Sequence, residues 1–230
     1  MPQFKVAIYL YPQVDLLDFS GPAEIYSYRD TLDKNATFPF DVTSFAHSSP
    51  VVSASPALVY QPSKTFAEIA DQITDYDILV IPGSHDKIVT DLIATEPGKQ
   101  VISLIQKFAA AKPRAETGKR FLQSVCTGSL LLAASGVLTG RTATTHHLSY
   151  ELLKTIADEA AGGESKVNVA RQRYVDAGTT DGGVRIVTAG GVSSGIDATI
   201  HIVGELFGQE RADWVAEVAE FERREKGWGV

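Results

Sequence analysis

The stretch FLQSVCTGSLLLAASGVLTG, residues 121–140, holds Cys126, the only cysteine among 230 residues. Residues 120–125 (RFLQSV) form a short apolar run that reads as a buried strand. Residues 127–136 (TGSLLLAASG) follow with strong helix formers and a glycine stop at Gly136. Cys126 therefore stands where a strand turns sharply into a helix. A single thiol makes no internal disulfide and is a poor metal site by itself, so its placement calls for another explanation.

The same alternation extends in both directions. FKVAIYLY (4–11), FDVTSFAH (40–47), YDILVIPGS (76–84), a strand near 169–175 and VRIVTAGG (184–191) read as further strands. VVSASPALVY (51–60) is punctuated by Ser and Pro and reads as a hairpin. LDFSGPAEIYSYRD (17–30) suggests a helix with Ser20 as N-cap and Pro22 in its first turn. In 98–112, Val101, Ile102, Ile105 and Phe108 share a helical face. Further helices are expected over 146–160, 194–207 and 208–224. AGTTDGG (177–183) reads as a hairpin loop. Strands that alternate with helices and are apolar on both faces predict an α/β fold, a mostly parallel sheet with helices on both faces, in a single domain spanning 1–230.

Composition narrows the function. Hydrophobic residues make up 44% of the chain and the net charge is −7, with the charges scattered. That argues against a nucleic-acid surface and a polybasic membrane patch. No apolar run reaches the ~18 residues of a transmembrane helix, and the N-terminus enters a strand without a signal-peptide pattern. One cysteine suits a reducing compartment, so a cytoplasmic protein is expected. No GxGxxG fingerprint or clustered metal-ligand motif is present, and no metal or organic cofactor is expected.

In open α/β sheets ligands bind at the carboxyl ends of the strands. Cys126 falls at such an end, where a helix N-terminus favours a thiolate, and the backbone N–H groups of Thr127 and Gly128 stand ready for a developing negative charge. Asp18 follows the first strand, Gly83 ends another, and His146 opens a helix, all on the same sheet edge. Each has a plainer reading: a buried core cysteine for Cys126, helix caps for Asp18, Thr127 and His146, a turn glycine for Gly83. In GGVSSGID (190–197) the glycines permit a tight turn, and Ser193 or Ser194 caps the helix that carries Asp197.

SVCTGSLLLAASGVLTGRTATTHH (124–147), RYVDAG (173–178) and IVTAGGVSSGID (186–197) together resemble the ThiJ/PfpI superfamily, which shares a flavodoxin-like architecture with class I glutamine amidotransferases. The resemblance runs from FKVAIYLYPQVDLLDFSGP to HIVGELFG. Thr127 stands where the protease branch has His, and the acidic residue is Asp18, which weakens peptidase and glyoxalase readings. LDFSGP, CTGS and GGVSSGID together look most like the isocyanide-hydrating branch. They also occur in regulators that append a DNA-binding segment, which a chain ending at Val230 is not expected to carry. The resemblance implies Cys126 as nucleophile, Asp18 as general acid and base, and Thr127 beside them, its hydroxyl bonding the carboxyl or a water. Gly83, Gly128 and His146 would line the oxyanion and substrate pocket, and a homodimer is implied. The rivals are aldehyde chemistry of the glyoxalase or deglycase type and a non-enzymatic cysteine redox sensor.

Overall fold

Seven strands pair in one sheet, and the central ones, Ile78–Ile81 and Phe121–Ser124, are buried on both faces. A computed structural model describes residues 3–29, 38–56 and 58–224. Asp30 and Ala57, read above as part of a helix and a hairpin, lie outside the described residues, as do the termini through Val230. In chain order the elements are β1 (Phe4–Tyr9), α1 (Leu16–Tyr26), β2 (Phe40–Ala46), β3 (Val51–Val52), β4 (Val59–Tyr60), β5 (Lys64–Thr65), α2 (Phe66–Gln72) and β6 (Ile78–Ile81). Then come α3 (Asp86–Ala94), α4 (Glu96–Ala110), β7 (Phe121–Ser124), α5 (Gly128–Ala134), β8 (Thr142–Ala143), α6 (Tyr150–Ala161) and β9 (Asn168–Val169). β10 (Tyr174–Thr179), β11 (Arg185–Ala189), α7 (Ser194–Phe207) and α8 (Gln209–Val218) complete the set.

The sheet order is β10-β11-β7-β6-β1-β2-β5. Every pairing is parallel except β10 with β11, the hairpin read from AGTTDGG. α1, α7 and α8 pack together on one face, and α3, α4, α5 and α6 on the other. The architecture is the flavodoxin-like α/β fold. Central β6 shows why its sequence lacks alternation: Ile78, Leu79, Val80 and Ile81 are all fully buried, as a parallel strand covered on both faces requires. On α4 the buried stripe is Val101, Leu104, Ile105 and Phe108, an i, i+3, i+4, i+7 pattern, with Ile102 only partly covered.

Local signals misplace several boundaries. α1 begins at Leu16 and is capped by Asp15, whose carboxylate accepts from Leu17 N–H, so Ser20 is not the N-cap and Pro22 lies inside the helix. The region around residues 84–90, which would pass for a loop, is the start of α3. The 146–160 segment opens with a 3-10 turn, His147–Ser149, before α6. α8 stops at Val218, short of residue 224. No helix among the described residues is long and apolar enough to cross a membrane.

One buried carboxylate fastens the end of the sheet away from the cysteine. Asp77, fully buried, accepts from Lys5 N–H (2.8 Å), Arg114 Nε (2.9 Å) and Nη2 (2.7 Å), and Thr117 Oγ1 (2.6 Å). It joins β1, the start of β6 and the 111–120 connection in one bonded cluster. Removing a buried ion-pair partner strands the other groups, at a cost of about 3–5 kcal/mol. Asp77→Ala is therefore expected to lower the thermal midpoint by about 6–20 °C, at ~2–4 °C per kcal/mol. Thr117→Val, which removes one donor to the carboxylate, should cost about 1.5–3 kcal/mol. Thermal unfolding followed by circular dichroism checks both.

Candidate functional site

β7 ends at Ser124, and two residues later the backbone enters the left-handed region, with Cys126 at φ 55°. A non-glycine residue adopts this only when its surroundings impose it. Here they do so from both sides. Cys126 N–H donates to Gly190 O (2.9 Å), and Cys126 O accepts from Ser129 Oγ and Thr145 Oγ1 (each 3.1 Å). The side chain is thrown out of the strand-helix path, the geometry of a nucleophile elbow.

The end of β6 presses against this elbow. A Cβ on Gly128 would lie 2.1 Å from Ile81 O, and one on Gly83 would lie 2.5 Å from Thr127 Oγ1. Both positions require glycine for close approach. Thr127 Oγ1 accepts from Ser84 N–H (2.9 Å) and donates to Ser84 O (2.6 Å), which clamps the loop after β6 to the elbow. The hydroxyl proton is thereby committed to the Ser84 carbonyl, and the expected bond from Thr127 to the Asp18 carboxyl is not made.

Asp18 lies in the first turn of α1, fully buried, with Oδ2 accepting from Gly83 N–H (3.0 Å). Oδ1 has no hydrogen-bond partner among the described residues. Burial foremost, reinforced by the nearby Asp15 charge, pushes its pKa up to about 7, against smaller downward pulls from Gly83 N–H and the Cys126 thiol. A carboxyl at that value can both hold and release a proton near neutrality. Cys126 is pushed the same way. Burial, then the Asp18 charge, raise its pKa well above that of an ordinary thiol, and the backbone N–H groups of Thr127 and Val192 only partly offset this. Burial thus works against the resting thiolate expected at this position. α5 has only seven residues, and its N-terminus does not outweigh desolvation.

The N–H groups expected around the sulfur also differ. Gly128 N–H donates to Val125 O (2.9 Å), and Gly83 N–H is held by Asp18. Neither glycine lines the cavity above Cys126. The second donor is Val192, at φ 47°. The sequence offered no signal for it beyond the preceding glycine pair. Ser193 and Ser194 make no side-chain cap on α7; Ser193 Oγ accepts from Arg173 Nη2 (3.0 Å), and Arg173 pairs with buried Asp197 (2.5 Å).

A cavity of about 430 Å³ opens over the sulfur, and Cys126, Thr127, Ser84, His146 and Val192 are among the residues that line it. His146 is an N-cap, its Nδ1 accepting from Leu148 N–H (3.3 Å). Its ring rests on Gly191, where a Cβ would lie 2.4 Å from Cδ2. Burial and the neighbouring His147 lower its pKa, so it is neutral near pH 7. Beneath the site, Tyr26 OH donates to Gln123 Oε1 (2.9 Å), Gln123 Nε2 to Thr199 Oγ1 (2.7 Å), and Thr199 Oγ1 to Gly195 O (2.6 Å). This buried chain ties together α1, β7 and α7, which respectively carry Asp18, lead into Cys126 and follow Val192.

A parallel sheet with a cysteine elbow at its carboxyl edge, backed by a buried carboxyl, defines a class of α/β proteins. Residues 4–205 match the model of the DJ-1/PfpI family, and the chain belongs to that family. It is 29% identical over 211 residues to a Pseudomonas putida protein named isonitrile hydratase, spanning 92% of this chain and 75% of that one. Among solved structures it superposes on a ThiJ/PfpI family protein from Pseudomonas syringae with a TM-score of 0.71 at 24% identity, over 98% of this chain and 78% of that one. An AraC family transcriptional regulator from Pseudomonas putida superposes with a TM-score of 0.69 at 15% identity, over 94% and 99% of the two chains. These superpositions show the shared fold.

The raised pKa of Asp18 ties stability to pH. Between about 4 and about 7 the folded chain binds a proton that the unfolded chain has released, so the contribution of Asp18 falls as pH rises through that window. At full ionisation the penalty is on the order of 4 kcal/mol. Asp18→Asn keeps an acceptor for Gly83 N–H, and is expected to melt several degrees above wild type at pH 8, with the gain vanishing by about pH 4. The same change should speed alkylation of Cys126 by iodoacetamide at pH 8, because the charge that holds the thiol protonated is gone. Melting curves and single-thiol alkylation rates across pH check the two effects.

Proposed function

We propose that this chain hydrates an isocyanide, R–N≡C, to the N-substituted formamide. The observation that carries the reading is the buried Asp18 carboxyl, held near neutrality beside a cysteine fixed at a left-handed elbow. The likeness to isonitrile hydratase across most of the chain supports it.

The terminal carbon of an isocyanide can take both a proton and a nucleophile. Asp18 accepts the Cys126 proton and delivers it to that carbon as the sulfur bonds there, giving R–N=CH–S–Cys. The raised thiol pKa suits this order, since the nucleophile is released only when an electrophile is present to take the proton. Thr127 N–H and Val192 N–H face the sulfur as charge passes through it. Water entering from the cavity then adds to the imidate carbon. Asp18 takes its proton and returns one to nitrogen, and collapse expels the thiol and leaves R–NH–CHO. Over the cycle one isocyanide and one water become one formamide. Thr127 acts as a positioning residue through its Ser84 clamp, and His146, neutral and capping its own turn, shapes the wall.

The redox-sensor alternative requires a thiol with a lowered pKa, and burial has done the opposite at Cys126. Aldehyde chemistry would show as lactate formed from methylglyoxal and lost in Cys126→Ala. The same reading has the protein act in the cytoplasm as a homodimer of single-domain subunits, which sedimentation of the purified chain checks.

The direct test follows formamide formation from an alkyl isocyanide in the ultraviolet. Cys126→Ala is expected to abolish turnover, and Asp18→Asn to lower kcat by about 10²–10⁴-fold, the range for a lost general acid–base group. The opposite signs for Asp18→Asn, faster alkylation and slower turnover, separate a proton carrier from a group that merely tunes the thiol. Absence of turnover across a panel of isocyanides, with the thiol reduced, would overturn the activity.

A further inference from the structure

The wall of the cavity above Cys126 has a one-sided charge. Its lining includes the carboxylates of Asp15 and Asp86, from the cap of α1 and the first turn of α3, and no Lys or Arg. Of the two histidines on the wall, His146 has its pKa lowered by burial and by His147, and His85 caps α3, its Nδ1 accepting from Lys87 N–H (3.3 Å). The nearest lysine in sequence, Lys87, turns outward to Asp91 (2.7 Å). Asp86 also offsets the positive end of α3, which would otherwise favour an anion.

Both carboxylates keep an oxygen for a guest. Asp15 Oδ1 accepts from Leu17 N–H (3.3 Å), and Asp86 Oδ1 from Ser149 Oγ (2.6 Å). Neither Oδ2 has a hydrogen bond among the described residues. The acids do not define the site. The cavity and the sulfur at its base do, together with the buried, unpartnered Oδ1 of Asp18 behind that sulfur.

We infer that the cavity selects electrophiles whose tail carries a cationic amine, seated against Asp15 and Asp86, and rejects those whose tail carries a carboxylate or sulfonate. The inference rests on Cys126 as the reacting group and on this cavity as its entrance. It deepens the hydratase reading by fixing the substrate class as amine-bearing isocyanides. A volume of about 430 Å³ leaves room for a short substituent beyond the reacting carbon.

Because Cys126 is the only cysteine, the selectivity can be read without turnover. The native protein is treated with an ethylammonium methanethiosulfonate and with its ethylsulfonate counterpart. Each rate is divided by that for a free small thiol. Two carboxylates within contact range of the tail give an expected preference for the cation of about tenfold or more. Asp15→Asn, which retains an N-cap, combined with Asp86→Asn is expected to bring the ratio within about threefold of unity. A wild-type ratio near unity, a ratio unchanged in the double variant, or no labelling by either reagent would overturn the inference. A clear preference beside a negative formamide assay would leave this selectivity standing while the hydratase reading fell.

Discussion

The ends of β6 and β7 approach so closely that no side chain fits between them, and this contact governs the site. Gly128 sits against Ile81 O and Gly83 against Thr127. That closeness lets Ser84 and Thr127 exchange two hydrogen bonds and aims Gly83 N–H at Asp18. The glycines serve by their lack of a Cβ and not by the N–H groups that a pocket reading would assign them. Had either position carried a side chain, the loop after β6 would stand away from the elbow, and Asp18 would lose the one donor that holds it.

The chemistry follows from what this contact buries. A thiol and a carboxyl are buried side by side, so neither is well stabilised as an anion. Burial thus works against a charge on either member of the pair. Above the pair, the cavity wall carries the carboxylates of Asp15 and Asp86.

Much of this was legible in the sequence, for reasons that can be named. The elbow was readable because a strand pattern, a lone cysteine and a helix pattern are local and adjacent. Asp18 was readable from its place after the first strand, since strand ends in a parallel sheet share one edge. Ser20 misled because the stretch offers several capping residues and Pro22 favours a first turn; packing chose Asp15 instead. α2 and α3 escaped notice because each is short and much of its length is exposed. Val192 could not be found at all. Its contribution is a backbone N–H placed by a positive φ that valine does not advertise. The upward push on the Cys126 thiol was not legible either, because depth of burial is a tertiary quantity.

Pairing stops at β10 on one margin of the sheet and at β5 on the other. β5, at one margin, is two residues long, and β10, at the other, shifts register between Asp176 and Thr179 and packs against β8. Neither presents a long, regular row of free N–H and C=O groups on which another strand could be templated. Helix and loop side chains on either face can therefore be changed residue by residue without disturbing the layer that holds the cysteine.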